Sequence, residues 1–363
     1  MNKKLLIIAV LIGAFFNNRV FSQAFDLTLC LPANYVKDGS ADYTEYLQKG
    51  LMQYSDVIFP NFPILINERG LEAKSNQTLT FLDNSQLIMA PNSKERYGLL
   101  KLTNVSNVTI NNATLIGDRD KHKGDKGEWG MGIMILSSSN VVIKNPKISK
   151  FWGDGIYIGE ILHDERTRFN LPEYTSKNIL IKGGLLDQNR RNGISVISVR
   201  GLVIDGTEIR NTEGKAPMAG ICIEPNNNEQ FLEKIELRNI ISKNNKEVGF
   251  KYVTSSFFGP RKKNVSIIIE NCTDYGSKVG LHVGGARASH SKRKIEKFEG
   301  EILIKGFSSH SNTFPVRIGS IQNFSPRINF QNISVYSNGK RDLSKEKKVH
   351  NELKTRRFLL EKK

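Results

Sequence analysis

The sequence predicts an all-β fold in which short strands wind as successive coils of a parallel β-helix, preceded by a capping helix. The first observation is a repeated pattern, a small residue followed by apolar-x-apolar, in a chain that is only 39% hydrophobic. The second is another apolar-x-apolar series that interleaves with the first, with no helical segment between them. Period-two alternation over three to five residues indicates a strand with one buried face. Such strands in irregular periods favour stacked β-coils over helical repeats.

Each series supplies one strand to each coil. The first series comprises Gly132–Ile135, Gly155–Ile158, Gly193–Val196, Gly220–Ile223, Gly249–Tyr252, Gly280–Val283 and Val316–Ile318. Its successive starts, counting Pro315 as the last, lie 23, 38, 27, 29, 31 and 35 residues apart. The second series comprises Val108/Ile110, Val141/Ile143, Ile179/Ile181, Leu202/Ile204, Ile235/Leu237, Val265/Ile267, Ile302/Ile304 and Ile328/Phe330. Coils that stack at about 4.8 Å place equivalent side chains in columns, so the inward columns form one continuous core.

Residues 1–22 have the three-part pattern of a secretory signal. A positive start is followed by the twelve-residue apolar run Leu5–Phe16, and Val20 and Ser22 stand at the minus-three and minus-one positions. Twelve apolar residues are too few to span a membrane. We therefore predict cleavage after Ser22 and a secreted or periplasmic protein.

Both ends of the remaining chain differ from the repeat. In the segment 23–75, Tyr43, Leu47 and Leu51 share one face of a predicted helix that starts near Ser40 or Asp42. Such a helix would cover the open end of the coils, which are predicted over 76–336. The tail 337–363 contains, from residue 339 onward, ten lysines and arginines against four acids. It is predicted to be either a short basic amphipathic helix or a segment without fixed structure.

The formal net charge of +17 favours an anionic partner. Because an exported protein rarely meets nucleic acid, the sequence points to an acidic polysaccharide instead. Three cysteines in 363 residues exclude a disulfide-rich scaffold, and no later apolar run is long enough to span a bilayer. The oligomeric state is not determined by the sequence.

Three motifs on neighbouring coils are more specific than the repeat itself. They are Gly153–Gly159, Asn189–Ser195 and Ala216–Asn226. On these motifs the sequence resembles the pectate-lyase-like superfamily of right-handed parallel β-helix proteins, over almost the whole chain after residue 22. The resemblance implies action on acidic polysaccharide by elimination, hydrolysis or epimerisation, although fold alone does not fix function.

The sequence departs from this family pattern in two places. Related sequences usually have an aspartate where this chain has Cys222. The polygalacturonase branch requires paired aspartates and a Gly-His-Gly step, because inverting hydrolysis needs an acid and a water-activating base. Apart from Asp154, those positions hold Arg191-Asn192 and Ile221-Cys222, which counts against that branch.

The residue between two apolar ones in each strand faces outward, which predicts an outward column. Its members are Met134, Tyr157, Ser195, Cys222, Lys251, His282 and Arg317. Uronate elimination needs a base, a cation that neutralises the sugar carboxylate and an acid for the leaving oxygen. Lys251 or His282 is the candidate base and Tyr157 the candidate acid. The candidate substrate-binding residues are Arg191, Arg317 and Ser195.

Glu224 lies beside this column, and the sequence leaves its role and that of Asp154 open. The two carboxylates are candidates for holding calcium or for catalysing glycoside hydrolysis. The charged residues of the column are alternatively ordinary surface groups on a glycan-binding protein without catalytic activity. Cys222 is predicted to be a free surface thiol or to form a disulfide with Cys30 or Cys272.

Overall fold

The fold is known here from a computed structural model. It describes residues 23–161, 171, 173–257, 259, 261–284, 298–319, 326–355 and 359–361. The predicted signal segment 1–22 lies outside the described residues. No helix within the described ranges combines the length and apolar character needed to cross a membrane.

Within the described residues, the strands form three long sheets that run the length of the molecule. The twelve-stranded sheet contains Phe25–Asp26, Asp56–Ile58, Gln77–Thr80, Ser106–Asn111, Ser139–Lys144, Ser176–Lys182, Val199–Asp205, Leu232–Arg238, Lys263–Glu270, Phe298–Lys305, Arg327–Gln331 and Leu359–Glu361. The nine-stranded sheet contains Leu71–Glu72, Arg96–Thr103, Trp129–Leu136, Ile156–Gly159, Asn192–Val196, Ala219–Ile223, Val248–Val253, Val279–Gly284 and Phe314–Ile318. The eleven-stranded sheet contains Pro63–Ile66, Gln86–Met89, Thr114–Ile116, Lys147–Ser149, Leu185–Asp187, Glu208–Arg210, Ile241–Lys243, Thr273–Tyr275, Ser308–His310, Ser334–Ser337 and Lys340–Arg341.

Each complete coil contributes one strand to each sheet, and the neighbouring coils pair in parallel. The antiparallel exception is the final pair in the eleven-stranded sheet. The first apolar series forms the nine-stranded sheet, where Ile156, Ile194 and Ile221 are successive register partners and all are buried. The second series forms the twelve-stranded sheet in the same way. The predicted right-handed parallel β-helix is confirmed.

Steric crowding explains why a glycine opens the repeat. A Cβ atom added to Gly193 would lie 2.7 Å from the carbonyl oxygen of Gly220, and one added to Gly220 would lie 2.7 Å from that of Gly249. Both distances are shorter than any side-chain carbon tolerates. The repeat therefore requires glycine because the backbone of the next coil occupies the space of a side chain.

Asparagines hold the corner next to the twelve-stranded sheet. Asn107, Asn140 and Asn178 have φ values of 59°, 55° and 53°, a left-handed conformation that asparagine accepts readily. Their side-chain amides form a ladder, with Asn140 Nδ2 donating to Asn107 Oδ1 at 3.0 Å and Asn178 Nδ2 donating to Asn140 Oδ1 at 3.1 Å. Each of the three is the second or third residue of its strand, and Asn264 is likewise the second residue of Lys263–Glu270.

Two α-helices lie near the ends of the described chain. The N-terminal helix spans Thr44–Gln53, so it begins later than the sequence predicts, and it buries Leu47 and Leu51 in the core. Asp42 precedes this helix and accepts a hydrogen bond from the Thr44 amide at 2.9 Å. The basic tail contains the helix Leu343–Thr355, which buries Leu353 against the last coils. Short 3-10 helices span Leu27–Cys30, Arg119–Lys121 and Ser255–Phe257.

The interior contains one carboxylate that hydrogen bonds satisfy without a cation. Asp274 is fully buried, and it accepts hydrogen bonds from the hydroxyls of Ser242 and Ser277 at 2.6 and 2.7 Å and from the amide of Asn312. Burial raises the pKa of Asp274 to about 6, although these hydrogen bonds oppose the rise. The Asp274 carboxyl is therefore harder to ionise in the folded state than in the unfolded chain.

The raised pKa of Asp274 makes the free energy of unfolding depend on pH, and a substitution that removes the carboxyl should remove this dependence. The contribution of Asp274 to stability is fully present below its ordinary pKa of 3.8 and is lost as the pH rises through about 6. We expect the Asp274→Asn variant to gain about 2–3 kcal/mol in free energy of unfolding relative to the unaltered protein between pH 4 and pH 7. Urea unfolding at four pH values measures this difference. A difference that stays constant with pH contradicts the assignment.

Candidate functional site

The predicted outward column lies on the nine-stranded sheet. Its members are consecutive register partners in the order Met134, Tyr157, Ser195, Cys222, Lys251, His282 and Arg317. The column extends beyond Met134 through Lys101 to Glu72. One face of the molecule thus carries one side chain from each coil.

The middle of this column is buried, which corrects the expectation that outward residues face solvent. Ser195 is 1% exposed and Cys222 is 2% exposed. Residues at the starts of the strands contact them: Asn192 Nδ2 donates to Ser195 Oγ at 2.9 Å, and Cys222 forms a small apolar cluster with Ala219, Val248 and Val279. Ser195 therefore presents no hydroxyl to a ligand on this face.

Asp154 is the centre of a buried polar cluster. Its carboxylate accepts hydrogen bonds from Ser195 Oγ at 2.7 Å and from Arg191 Nη1 at 3.1 Å. Arg191 is also 3.8 Å from Glu128 through its Nε atom, and its side chain is 17% exposed. Burial raises the pKa of Asp154 and outweighs the lowering by Arg191. Arg191 forms an ion pair with Asp154. Because the carboxylate offsets its positive charge, Arg191 attracts an anionic ligand only weakly.

Tyr157 lies beside that cluster and is partly buried. Burial, with a smaller effect from Asp154, raises the pKa of the Tyr157 phenol to about 12. Four coil-to-coil steps separate Tyr157 from His282, which is about 19 Å at the strand spacing. The structure therefore does not bring the candidate acid Tyr157 together with the candidate base His282.

The next group along the column contains two charged partners. Lys251 Nζ donates to Glu224 Oε2 at 3.0 Å, and Cys222 Sγ donates to the same oxygen at 3.3 Å. The Lys251 side chain is 17% exposed and that of Glu224 is 35% exposed. Cys222 is a free thiol, as are Cys30 and Cys272, so no disulfide involves it. The expectation of a surface thiol is wrong, because Cys222 lies under the Lys251–Glu224 pair.

His282 and Arg317 complete the column at its C-terminal end. His282 is partly buried and Arg317 is exposed. Burial lowers the pKa of His282, and the cations Arg317 and Lys251 lower it further, whereas Glu224 opposes them. The imidazole is therefore neutral at neutral pH and able to accept a proton.

Sequence reasoning missed an exposed aromatic ring beside this end of the column. Phe314 is 46% exposed, and the Arg317 guanidinium lies 5.9 Å from the centre of its ring. The position is three residues before the column position, where the preceding coils have the buried residues Val248 and Val279. The sequence did contain a signal for this ring: a large aromatic residue, Phe314, stands where the preceding coils have valine.

The carboxylates do not fit a calcium site. Asp154 is bound by Arg191 and Glu224 by Lys251, so each already has a cationic partner. Within the described part of the chain, no three or more His, Cys, Asp or Glu side chains converge. Calcium prefers several carboxylate and carbonyl oxygens together, and we derive no step through it.

The Asp154–Arg191 pair is expected to stabilise the fold. Asp154→Ala should lower the free energy of unfolding by about 3 kcal/mol, because it leaves the Arg191 guanidinium buried with only the distant Glu128. Asp154→Asn should cost less, since it keeps an acceptor for Ser195. Urea unfolding of both variants checks the prediction. An Asp154→Ala variant with full stability and altered activity would instead indicate a catalytic carboxylate.

Several solved structures share this architecture. A tailspike from Acinetobacter baumannii bacteriophage Fri1, a capsular polysaccharide depolymerase, aligns with a TM-score of 0.57 and 13% identity over 87% of this chain and 55% of that one. The A-module of the Azotobacter vinelandii mannuronan C-5 epimerase AlgE6 aligns with a TM-score of 0.53 and 12% identity over 86% and 87%. The Streptococcus pneumoniae surface adhesin PfbA aligns with a TM-score of 0.53 and 11% identity over 86% and 89%.

Two Bacillus subtilis proteins are similar in sequence. The uncharacterized protein YclG is 30% identical over 74% of this chain, and the prophage-derived uncharacterized protein YorA is 28% identical over 43% of it. This chain spans 46% and 28% of their lengths. No protein-family profile matches the chain.

The chain has the right-handed parallel β-helix fold, which it shares with these solved structures. Neighbours with this fold include polysaccharide-active proteins and an adhesin.

Proposed function

We propose that this chain is an exported polysaccharide lyase-like enzyme that acts on acidic, uronate-containing polysaccharide. The observation that carries the proposal is the stacking of Lys251, His282 and Arg317 on three adjacent coils of the nine-stranded sheet. Lys251 and Arg317 are two coils apart, about 9.6 Å, with the His282 imidazole between them. Positive groups on both sides of a neutral base favour a polyanionic ligand at this point.

The three residues suit the steps of uronate elimination. The neutral imidazole of His282 takes the proton from the ring carbon next to the sugar carboxylate. Arg317 binds that carboxylate and stabilises the charge that develops on it. The electron pair of the broken C–H bond forms a ring double bond as the glycosidic C–O bond breaks. The Lys251 ammonium, hydrogen-bonded to Glu224, gives a proton to the leaving oxygen. After product release, solvent takes the proton from the His282 imidazolium and returns one to the Lys251 amine.

The first prediction for this mechanism concerns the base. His282→Gln should lower the rate of elimination about a thousandfold, because general base catalysis contributes about 10²–10⁴-fold. The ultraviolet absorbance of the unsaturated product measures the rate on a panel of polyuronates. His310→Gln is the matched control, since His310 lies on the eleven-stranded sheet, away from the column. An unchanged rate in His282→Gln removes His282 as the base.

A second prediction uses the pH dependence of the same reaction. The base must be neutral, so the rate should rise with pH along a limb that lies below the ordinary histidine pKa of 6.5. Arg317→Gln removes one of the two positive charges that lower this pKa, so the limb should move to higher pH as the maximal rate falls. A limb that stays in place in Arg317→Gln would show that Arg317 does not act on His282. The pH profile of kcat/KM for both proteins provides the measurement.

A second candidate function is glycan binding without catalysis. It is favoured by the burial of Ser195 and Cys222 in the middle of the column, and an adhesin shares the fold. Mass spectrometry after incubation with polyuronates and sulfated glycans separates the candidates. Fragments without added water support elimination, and fragments with one added water support hydrolysis. An unchanged polymer that the protein still binds supports the non-catalytic function.

Hydrolysis by Asp154 and Glu224 has less support. The two residues are two coils apart along the axis, about 9.6 Å, and further displaced along the strand. Inverting enzymes hold their carboxyl groups about 6.5–9.5 Å apart and retaining enzymes about 5–5.5 Å apart. Asp154 is moreover buried under Arg191.

The proposal that the protein is exported is based on the signal-like segment 1–22. Protease protection of the full chain expressed in bacteria tests this part of the proposal.

A further inference from the structure

The other end of the nine-stranded sheet contains a groove that the proposed reaction does not use. A cavity of about 600 Å³ lies between the N-terminal helix and the first strands of this sheet. Its lining includes Arg69, Glu72, Arg96, Lys101 and Met134. The volume falls within the range of about 300–1,000 Å³ that is typical of ligand sites. Lys101 and Met134 belong to the outward column, so the groove opens onto the same face as His282.

Most of the charges in this groove are already paired. Arg69 lies 2.7 Å from Glu45, and Lys101 lies 2.8 Å from Glu72. Such pairs present hydrogen-bond donors and acceptors side by side, an arrangement that suits the hydroxyl groups of a sugar. Arg96 differs from them, because no ion pair joins it to any carboxylate among the described residues. Its guanidinium is therefore available for an anionic group of a ligand.

Arg96 is held against an exposed aromatic ring. Its guanidinium carbon lies 5.1 Å from the centre of the Trp129 ring, and Trp129 is 36% exposed. An aromatic face offers a large, rigid apolar surface to the carbon–hydrogen face of a sugar ring. The same combination of an exposed ring and an arginine recurs at Phe314 and Arg317 at the far end of the sheet.

We propose that Arg96 and Trp129 form a distal subsite for an acidic sugar residue, in which the ring of the sugar lies on Trp129 and its carboxylate binds Arg96. The proposal rests on the proposed function, since it assigns the subsite to the same polysaccharide that reaches His282. Six coil-to-coil steps separate the coil of Arg96 from the coil of His282, which is about 29 Å along the axis, and Arg96 is further displaced along its strand.

A consequence is that affinity depends on the length of the polysaccharide. A chain long enough to reach both ends engages the second site intramolecularly, at an effective concentration set by the connecting sugars. A fragment that is too short to span this distance occupies one end at a time. Long chains should therefore bind much more tightly than short ones to a protein with both sites intact.

The test compares the full chain with Arg96→Gln, Trp129→Ala and the double variant. Calorimetric titration with size-fractionated polyuronate gives the ratio of the affinity for long chains to that for short chains. We expect each single variant to reduce this ratio about tenfold, because the second attachment is weakened. Arg327→Gln is the charge-matched control, and Tyr275→Ala is the control for an exposed ring, since both lie on other sheets.

The outcomes separate this subsite from the reaction. A ratio that is unchanged in both single variants, in a protein that still releases product, overturns the subsite and leaves the proposed function intact. A reduced ratio in a protein that releases no product supports the subsite and overturns the lyase activity. Failure of the unaltered protein to bind any acidic polymer overturns both.

Discussion

The parallel pairing of one coil with the next is the interaction on which the rest of this molecule depends. The backbone of each coil approaches the glycine of the coil before it so closely that a carbonyl oxygen lies 2.7 Å from where the Cβ atom of Gly193 or Gly220 would be. That approach fixes the register, and the register stacks equivalent side chains in columns. The inward columns form the core, and the outward columns place chemically related residues on one face.

Stacking also means that an outward charge has a neighbour about 4.8 Å above and below it. Where the neighbours are opposite in charge or hydrogen-bonded, as for Asp154 with Arg191 and Ser195, the column is neutral and buried. Where they are alike, as for Lys251 and Arg317 around His282, positive potential accumulates and Glu224 offsets only part of it. The same geometry thus produces a buried, hydrogen-bonded centre and a positively charged end on one sheet.

The face is therefore divided along its length. Its middle is buried at Ser195 and Cys222, whereas both ends have an exposed aromatic ring beside an arginine. A surface that is closed in the middle and open at both ends suits a long ligand better than a small one. The acidic polymer that we propose as the substrate is of that kind.

The sequence by itself determined the fold, the outward column and the order of its residues, because period-two alternation with a recurrent glycine has one consistent stacking. It did not determine the burial of Asp154, Ser195 and Cys222. That burial depends on how side chains from different coils reach across a corner, which alternation within a strand does not encode. Only the tertiary structure places Arg96 on Trp129, since the two residues are 33 positions apart and meet through the register of neighbouring strands.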